Sequence, residues 1–121
     1  MKQMEINKTY GALSHLSQMQ LPIKIAYRVY SLIKKLDEPY KFAMEQEKKL
    51  IEKYKGEFKN DGSISFASID DKVAFQKEFF ELQNLEHDID FEKIIIKTDD
   101  LGKQTITAAD IFALEGFVEF E

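Results

Sequence analysis

Residues 23–55 read IKIAYRVYSLIKKLDEPYKFAMEQEKKLIEKYK, and this stretch decides the fold. Apolar side chains recur in it every seven residues and at a neighbouring position of the same register, which is the spacing of one face of an α-helix. The stretch is therefore predicted to form a long helix or the two arms of a helical hairpin, with its apolar side turned towards a core. The residues of this stripe are Val29, Leu36, Ala43 and Leu50, with Ile33, Tyr40 and Tyr54 beside them.

Pro39 lies inside this helical segment. Proline removes one main-chain hydrogen bond, and its ring clashes with the carbonyl four residues earlier. A kink or a break is therefore expected near Asp37 and Glu38. One bent helix and two helices, over 22–37 and 40–55, fit the pattern equally well.

Three further helices are indicated by capping signals. Asn7 is a candidate N-cap for a helix over 8–18. Ser68 precedes Asp71 by three residues, and Thr107 precedes Asp110 in the same way, a spacing typical of helix starts. These two positions predict helices over 69–85 and 108–115.

Short strands are predicted in the second half of the chain. Asn60-Asp61-Gly62 is a turn signal, and alternation over Ser63–Phe66 indicates a strand beside it. A second strand is predicted around Ile89 and Phe91, with Gln104–Ile106 as its hairpin partner. We expect one α+β domain over residues 1–121, with a long kinked helix or helical hairpin, a small antiparallel sheet and two short helices.

The charge of the chain is divided between its halves. Residues 1–60 hold 12 basic and 7 acidic residues, whereas residues 61–121 hold 5 basic and 15 acidic ones. Such a dipole can orient partners or copies of the same chain.

The absence of cysteine excludes a disulfide scaffold and a thiol nucleophile, and it fits a reducing cytoplasm. No signal peptide or membrane span is visible in the sequence.

A ladder of lysines is the first candidate site. Its members repeat every seven residues, so a continuous helix would carry a basic ridge for an anionic partner. The alternative is a solvated helix face balanced by glutamates. Nucleic acid is the weaker option for the partner, because the ridge holds one arginine and only Tyr27 and Tyr30 as nearby aromatics. The ladder is Lys34, Lys41, Lys48 and Lys55, flanked by Arg28, Lys35 and Lys49.

An acidic segment is the second candidate. Asp88, Asp90 and Glu92 would project from one face of a strand, and oxygen ligands of this kind hold calcium or magnesium. The segment lacks the spacing of a calcium loop, and charged residues are also common on solvent-facing strand edges.

His15 and His87 have no catalytic motif around them, and the glycines form no phosphate-binding loop. We therefore expect no catalytic residue, no metal and no cofactor.

Aromatic residues are the third feature, with ten phenylalanines in the chain. A domain of this size cannot bury all of them, so an apolar contact patch is expected. Phe117 and Phe120, close to the last residue, are predicted to contact a partner. Docking of this segment on the body of the domain is the alternative.

Three stretches carry a resemblance to known proteins. They are Ile6–Leu13 (INKTYGAL), Leu21–Tyr27 (LPIKIAY) and Ile106–Phe117 (ITAADIFALEGF). Together they resemble a family of uncharacterised small proteins encoded by phages and prophages of Gram-positive bacteria. This resemblance implies a setting in the cytoplasm of an infected bacterium, and it implies no activity or catalytic residue.

The function expected from these features is binding and not catalysis. The first hypothesis is a phage accessory protein that docks on a host or phage protein and inhibits it by covering a surface, for example on a component of a defence system. The second is a head or tail morphogenesis factor that associates with itself, basic half against acidic half. The third is a metal-dependent hydrolase or nuclease that uses Asp88, Asp90 and Glu92.

Overall fold

The computed structural model describes all residues from Met1 to Glu121. The fold is α+β, as predicted, with one long helix, four shorter ones and two pairs of short strands. The helices are α1 (Gln3–Ser17), α2 (Ile23–Lys53), α3 (Ile69–Gln83), α4 (Thr98–Leu101) and α5 (Ala108–Ala113). The strands are β1 (Glu57–Phe58), β2 (Ile64–Ser65), β3 (Ile94–Ile96) and β4 (Val118–Phe120).

Helix α2 runs through Pro39 without a break, so the two-helix alternative is wrong. At a rise of 1.5 Å per residue its 31 residues extend over about 46 Å. Helix α1 packs antiparallel along the first half of α2, where the rings of Tyr10 and Tyr40 stack with centroids 4.0 Å apart. Helix α3 packs along the second half, where Lys53 forms an ion pair with Glu78 at 3.1 Å.

The principal core lies between α1, the first half of α2 and the elements after residue 93. Its centre contains Leu13 and Leu16 from α1, Leu36 from α2, and Ile94 and Ile96 from β3, all essentially inaccessible to solvent. The second half of α2 packs instead on α3 and on the β1–β2 hairpin, around a smaller apolar group. Its buried residues are Ala43, Ile51, Phe75 and Leu82.

The strand pairs match the sequence prediction only in part. Strands β1 and β2 form the antiparallel pair around the predicted turn, with Phe58 opposite Ile64. Residues 88–93 form no strand, so the strand predicted around Ile89 is wrong. The strand begins at Ile94, and its partner is β4 in parallel rather than Gln104–Ile106 in a hairpin. Helices α4 and α5 form the crossover that a parallel pair requires.

Two of the three capping predictions agree with the structure, and the prediction of Asn7 as an N-cap is wrong. The side chains of Ser68 and Thr107 accept hydrogen bonds from the main-chain N–H groups of Asp71 and Asp110, both at 3.1 Å. Helix α1 begins at Gln3, five residues before the predicted start, and Asn7 lies within it.

No helix of the protein has the length and apolar character needed to cross a membrane.

Candidate interaction surface

The lysine ladder lies on the outward face of α2, opposite the buried residues Val29, Leu36 and Ala43. Lys34, Lys41 and Lys48 are exposed and share this face, because seven residues make nearly two turns of an α-helix. Lys55 does not belong to the ridge, contrary to the prediction, because α2 ends at Lys53.

Lys55 has a left-handed backbone, with φ of 55°, and it reverses the chain at the end of α2. The N–H of Lys55 donates to the carbonyl of Glu52 at 3.2 Å, and the N–H of Gly56 donates to the carbonyl of Ile51 at 2.8 Å. These two bonds are those of a Schellman motif, in which the left-handed position is most often occupied by glycine. Lys55 is therefore a residue of the helix terminus.

Glutamates alternate with the lysines along the second half of the ridge. Glu38, Glu45 and Glu52 are exposed and also repeat every seven residues, so each is three or four residues from a lysine on the same face. Lys41 is in addition paired with Asp37 at 2.9 Å. This half of α2 is therefore a face of balanced charge and not a basic ridge.

The first half of α2 has a different character. The chain contains no acidic residue between Glu5 and Asp37, whereas this half of the helix carries four cations. Ile23, Tyr27 and Tyr30 lie among them with 83, 67 and 56% of their surface exposed. We call these residues the α2 amino-terminal face. Its members are Ile23, Lys24, Tyr27, Arg28, Tyr30, Lys34 and Lys35.

The aromatic side chains of this face are close together. The ring centroids of Tyr27 and Tyr30 are 6.4 Å apart, and the ammonium of Lys34 lies 5.8 Å from the Tyr30 ring. The first turn of α2 has no acidic residue and no side-chain cap, so the helix dipole adds to the positive potential. The face therefore combines apolar area with positive charge.

Two clefts border the α2 amino-terminal face. On one side an apolar groove of about 300 Å³ separates α2 from the end of α1, with Tyr30 at its rim. On the other side a cleft of about 430 Å³ separates Arg28 and Lys35 from Asp90 and Glu92. The ammonium of Lys35 donates to the main-chain carbonyl of Asp90, and no ion pair crosses the cleft between side chains.

Two residues of the acidic segment, Asp90 and Glu92, line this second cleft. Asp88, Asp90 and Glu92 are exposed and follow one another along an extended loop. No group of three histidine, aspartate or glutamate side chains in the protein has an arrangement that could hold a metal ion. The metal-dependent alternative therefore gains no support from their arrangement.

The two phenylalanines near the last residue pack against the body of the domain, which agrees with the docking alternative. Phe117 is only 8% exposed, and its ring centroid lies 4.6 Å from that of Phe91, so it offers little surface to a partner. Phe120 is half-buried in β4 and packs against the principal core. The exposed phenylalanine of this region is Phe112 on α5.

Both histidines have partners that the sequence does not reveal. His15 Nδ1 lies 2.9 Å from a carboxylate oxygen of Asp110, which joins α1 to α5. His87 Nε2 lies 2.6 Å from the Oε1 atom of the buried Gln3. The hydroxyls of Ser14 and Ser17 instead donate to main-chain carbonyls one turn back in α1, so no nucleophile faces His15.

Comparison of the chain with protein-family models, with curated proteins and with solved structures finds no match.

Proposed function

We propose that this protein is a binding protein that docks through the α2 amino-terminal face on a partner protein. The single observation that supports this most is the exposure of Ile23, Tyr27 and Tyr30 on one side of a helix whose charged residues there are all basic. Tyrosine and arginine are the residues that dominate binding energy at protein interfaces. Apolar side chains grouped on the surface of a small domain are also typical of contact sites.

The chemistry of the face selects the partner. Lys24, Arg28 and Lys34 favour an acidic surface, and the tyrosines favour one that also exposes apolar groups. The cleft beside Arg28 has carboxylates on its opposite wall. A segment of the partner that enters this cleft would therefore carry a negative group facing α2 and a positive group facing Asp90. The resemblance to phage proteins suggests that this partner is a host or phage protein in an infected bacterium, inhibited when its surface is covered.

A capture experiment tests this proposal. The tagged protein would be used to retrieve partners from a lysate of infected cells, and the affinity for the purified partner would then be measured by calorimetry. We expect Tyr27→Ala with Arg28→Glu to weaken binding by at least about tenfold, since each residue of a hot spot contributes more than about 1 kcal/mol.

The matched control is Lys48→Glu, at an exposed position without an ion pair on the balanced half of the same helix. This change alters the charge by the same amount as the test variant and should leave the affinity nearly unchanged. Equal loss of affinity in both variants would contradict a site on the α2 amino-terminal face. The site would also be contradicted if the test variant bound the partner with the affinity of the wild-type protein.

Self-association of the basic half on the acidic half is the second candidate, and the charge split of the chain favours it. A morphogenesis or structural role would follow from such assembly. Contacts of this kind are screened by salt. Light scattering should therefore detect oligomers at low ionic strength that dissociate as the salt concentration rises.

A further inference from the structure

An unpartnered apolar stripe lies on the outward face of α3. Ile69, Val73 and Phe80 are 79, 58 and 68% exposed, although α3 already buries Phe75 and Leu82 on its inward face. The exposed positions continue through Gln76, which gives intervals of four, three and four residues. This is the spacing of a coiled-coil seam. We call Ile69, Val73, Gln76 and Phe80 the α3 seam.

One flank of the α3 seam carries a charge of each sign. Asp70 and Lys77 are both exposed on this flank, and neither takes part in an ion pair within the chain. They are seven residues apart, so about 10 Å of helix separates them and they cannot pair with each other. Each lies where it could meet a charge on a second helix.

We propose that the α3 seam is the interface of a two-fold symmetric dimer, in which the α3 helices of two copies pack antiparallel. In this register Ile69 of each copy faces Phe80 of the other, and Val73 faces Gln76. The same register places Asp70 of each copy beside Lys77 of the other, so two identical ion pairs flank the seam. One surface is thus complementary to itself in both shape and charge, as a two-fold interface requires.

The length and composition of the α3 seam indicate the affinity of the dimer. α3 is only 15 residues long, about 22 Å, and polar Gln76 lies next to the dimer axis. A polar residue at a seam position selects one register at a cost in affinity. We therefore expect a dimer that dissociates on dilution. Its apolar contacts should keep it together at salt concentrations that disperse charge-driven assemblies.

The first test measures molar mass by light scattering over a concentration series. We expect wild-type dimers, and monomers for Val73→Asp with Phe80→Asp. Both side chains are exposed, so these changes should leave the melting temperature of the monomer nearly unaltered. The matched control is Phe112→Asp, which places the same charge at an equally exposed phenylalanine on α5 and should leave the dimer intact. A monomeric wild-type protein at every concentration would overturn the proposal, as would a dimer that survives the change in the seam.

The second test exchanges the flanking charges. Asp70→Lys alone would place two lysines together at each ion pair, and Lys77→Asp alone would place two aspartates together, so both single variants should dimerise at least about tenfold more weakly. Mixed in equal amounts they should form heterodimers, because each ion pair then has opposite charges. The double variant should regain the homodimer. Absence of heterodimers in the mixture would overturn the antiparallel register.

The dimer is independent of the proposed binding function. Substitutions in the α2 amino-terminal face should leave the molar mass unchanged, and the seam variants should retain that face. Failure of either proposal is therefore recognised separately. If both hold, each dimer presents two copies of the α2 amino-terminal face, which would raise its avidity for a repetitive partner.

Discussion

The side-chain amide of Gln3 donates a hydrogen bond to the main-chain carbonyl of Pro39 at 3.0 Å, although 36 residues separate them. Gln3 is completely buried, and its amide also donates to the side-chain oxygen of Asn7 and contacts His87. The start of α1 is thereby attached to α2 at its proline and to the segment that follows α3. One buried polar side chain thus joins the regions that pack on the two halves of α2.

Replacement of Gln3 tests this junction. Gln3→Leu keeps the size of the side chain but removes its hydrogen bonds to three part-buried partners, and we expect a loss of about 1–3 kcal/mol in the free energy of unfolding. Urea denaturation followed by circular dichroism would measure it. Gln18→Leu, at an exposed position after α1, is the control and should change stability little. Equal stability of the two variants would mean that the Gln3 contacts contribute nothing net.

The end of α2 gives a pair of predictions with opposite signs. Lys55→Gly should stabilise the protein by roughly 0.5–1 kcal/mol, because glycine adopts the left-handed backbone without a steric penalty. Gly56→Ala should destabilise it by about 1–3 kcal/mol, because the added Cβ would lie 2.9 Å from Ile64 Cγ2 and 3.0 Å from Phe66 Cε1. Thermal melts of both variants would show these shifts, and a lower melting temperature for Lys55→Gly would contradict the assignment.

A dependence on acid is expected from two paired carboxylates. Hydrogen bonds from Lys41 and Tyr10 lower the pKa of Asp37, and those from Tyr54 and Lys53 lower the pKa of Glu78. A carboxyl whose pKa is lower in the folded state stabilises the fold above its unfolded pKa, and this contribution is lost as the pH falls through the folded value. The melting temperature should therefore decrease below about pH 4.

Asp37→Asn removes one of these groups and should make the acid-induced decrease smaller. Glu38→Gln, at the exposed neighbouring position, is the control and should retain the full decrease. Melting curves recorded from pH 7 to acid would compare them. An unchanged pH dependence in Asp37→Asn would show that the Tyr10–Asp37–Lys41 contacts do not contribute to stability.

Glu47 should behave in the opposite way. Its carboxyl has no hydrogen-bond or ion-pair partner in the protein, and partial burial beside Ile51 and Phe58 raises its pKa. The ionised Glu47 carboxylate therefore lowers the stability of the folded protein at neutral pH. This loss of stability disappears as the pH falls below the pKa that Glu47 has in the unfolded chain. Glu47→Gln should raise the melting temperature at pH 7 and change it little in acid. The exposed control Glu52→Gln should show no such difference between the two pH values.

Features that depend on neighbouring residues could be predicted from the sequence. The apolar register of α2 and the caps at Ser68 and Thr107 are local, since each involves residues within one or two helical turns. The continuity of α2 through Pro39 could not be predicted, because a proline within a helical pattern removes one main-chain hydrogen bond and is compatible with either a kink or a break. The pairing of β3 with β4 could not be predicted from a local pattern either, since 24 residues separate Ile94 from Val118.

The candidate site was predictable in part. Exposure of Arg28, Lys34 and Lys35 follows from the apolar stripe on the other side of α2. The sequence also contains the glutamates that balance the second half of the ridge and the acid-free stretch that distinguishes the first half. The burial of Phe117 and the exposure of Phe112 depend on tertiary packing against Phe91 and its neighbours, which no local pattern encodes.

Helix α2 belongs to two packing regions of unequal size, and this has a consequence for its motions. Its first half contributes to a core of 12 buried residues, whereas in its second half only Tyr40 packs against that core and the main neighbour is α3. Local opening requires less free energy where fewer apolar contacts are broken. Amide protons of residues 40–53 should therefore exchange with deuterium faster than those of residues 27–38, so that a single continuous helix has two kinetic regimes that meet at its proline.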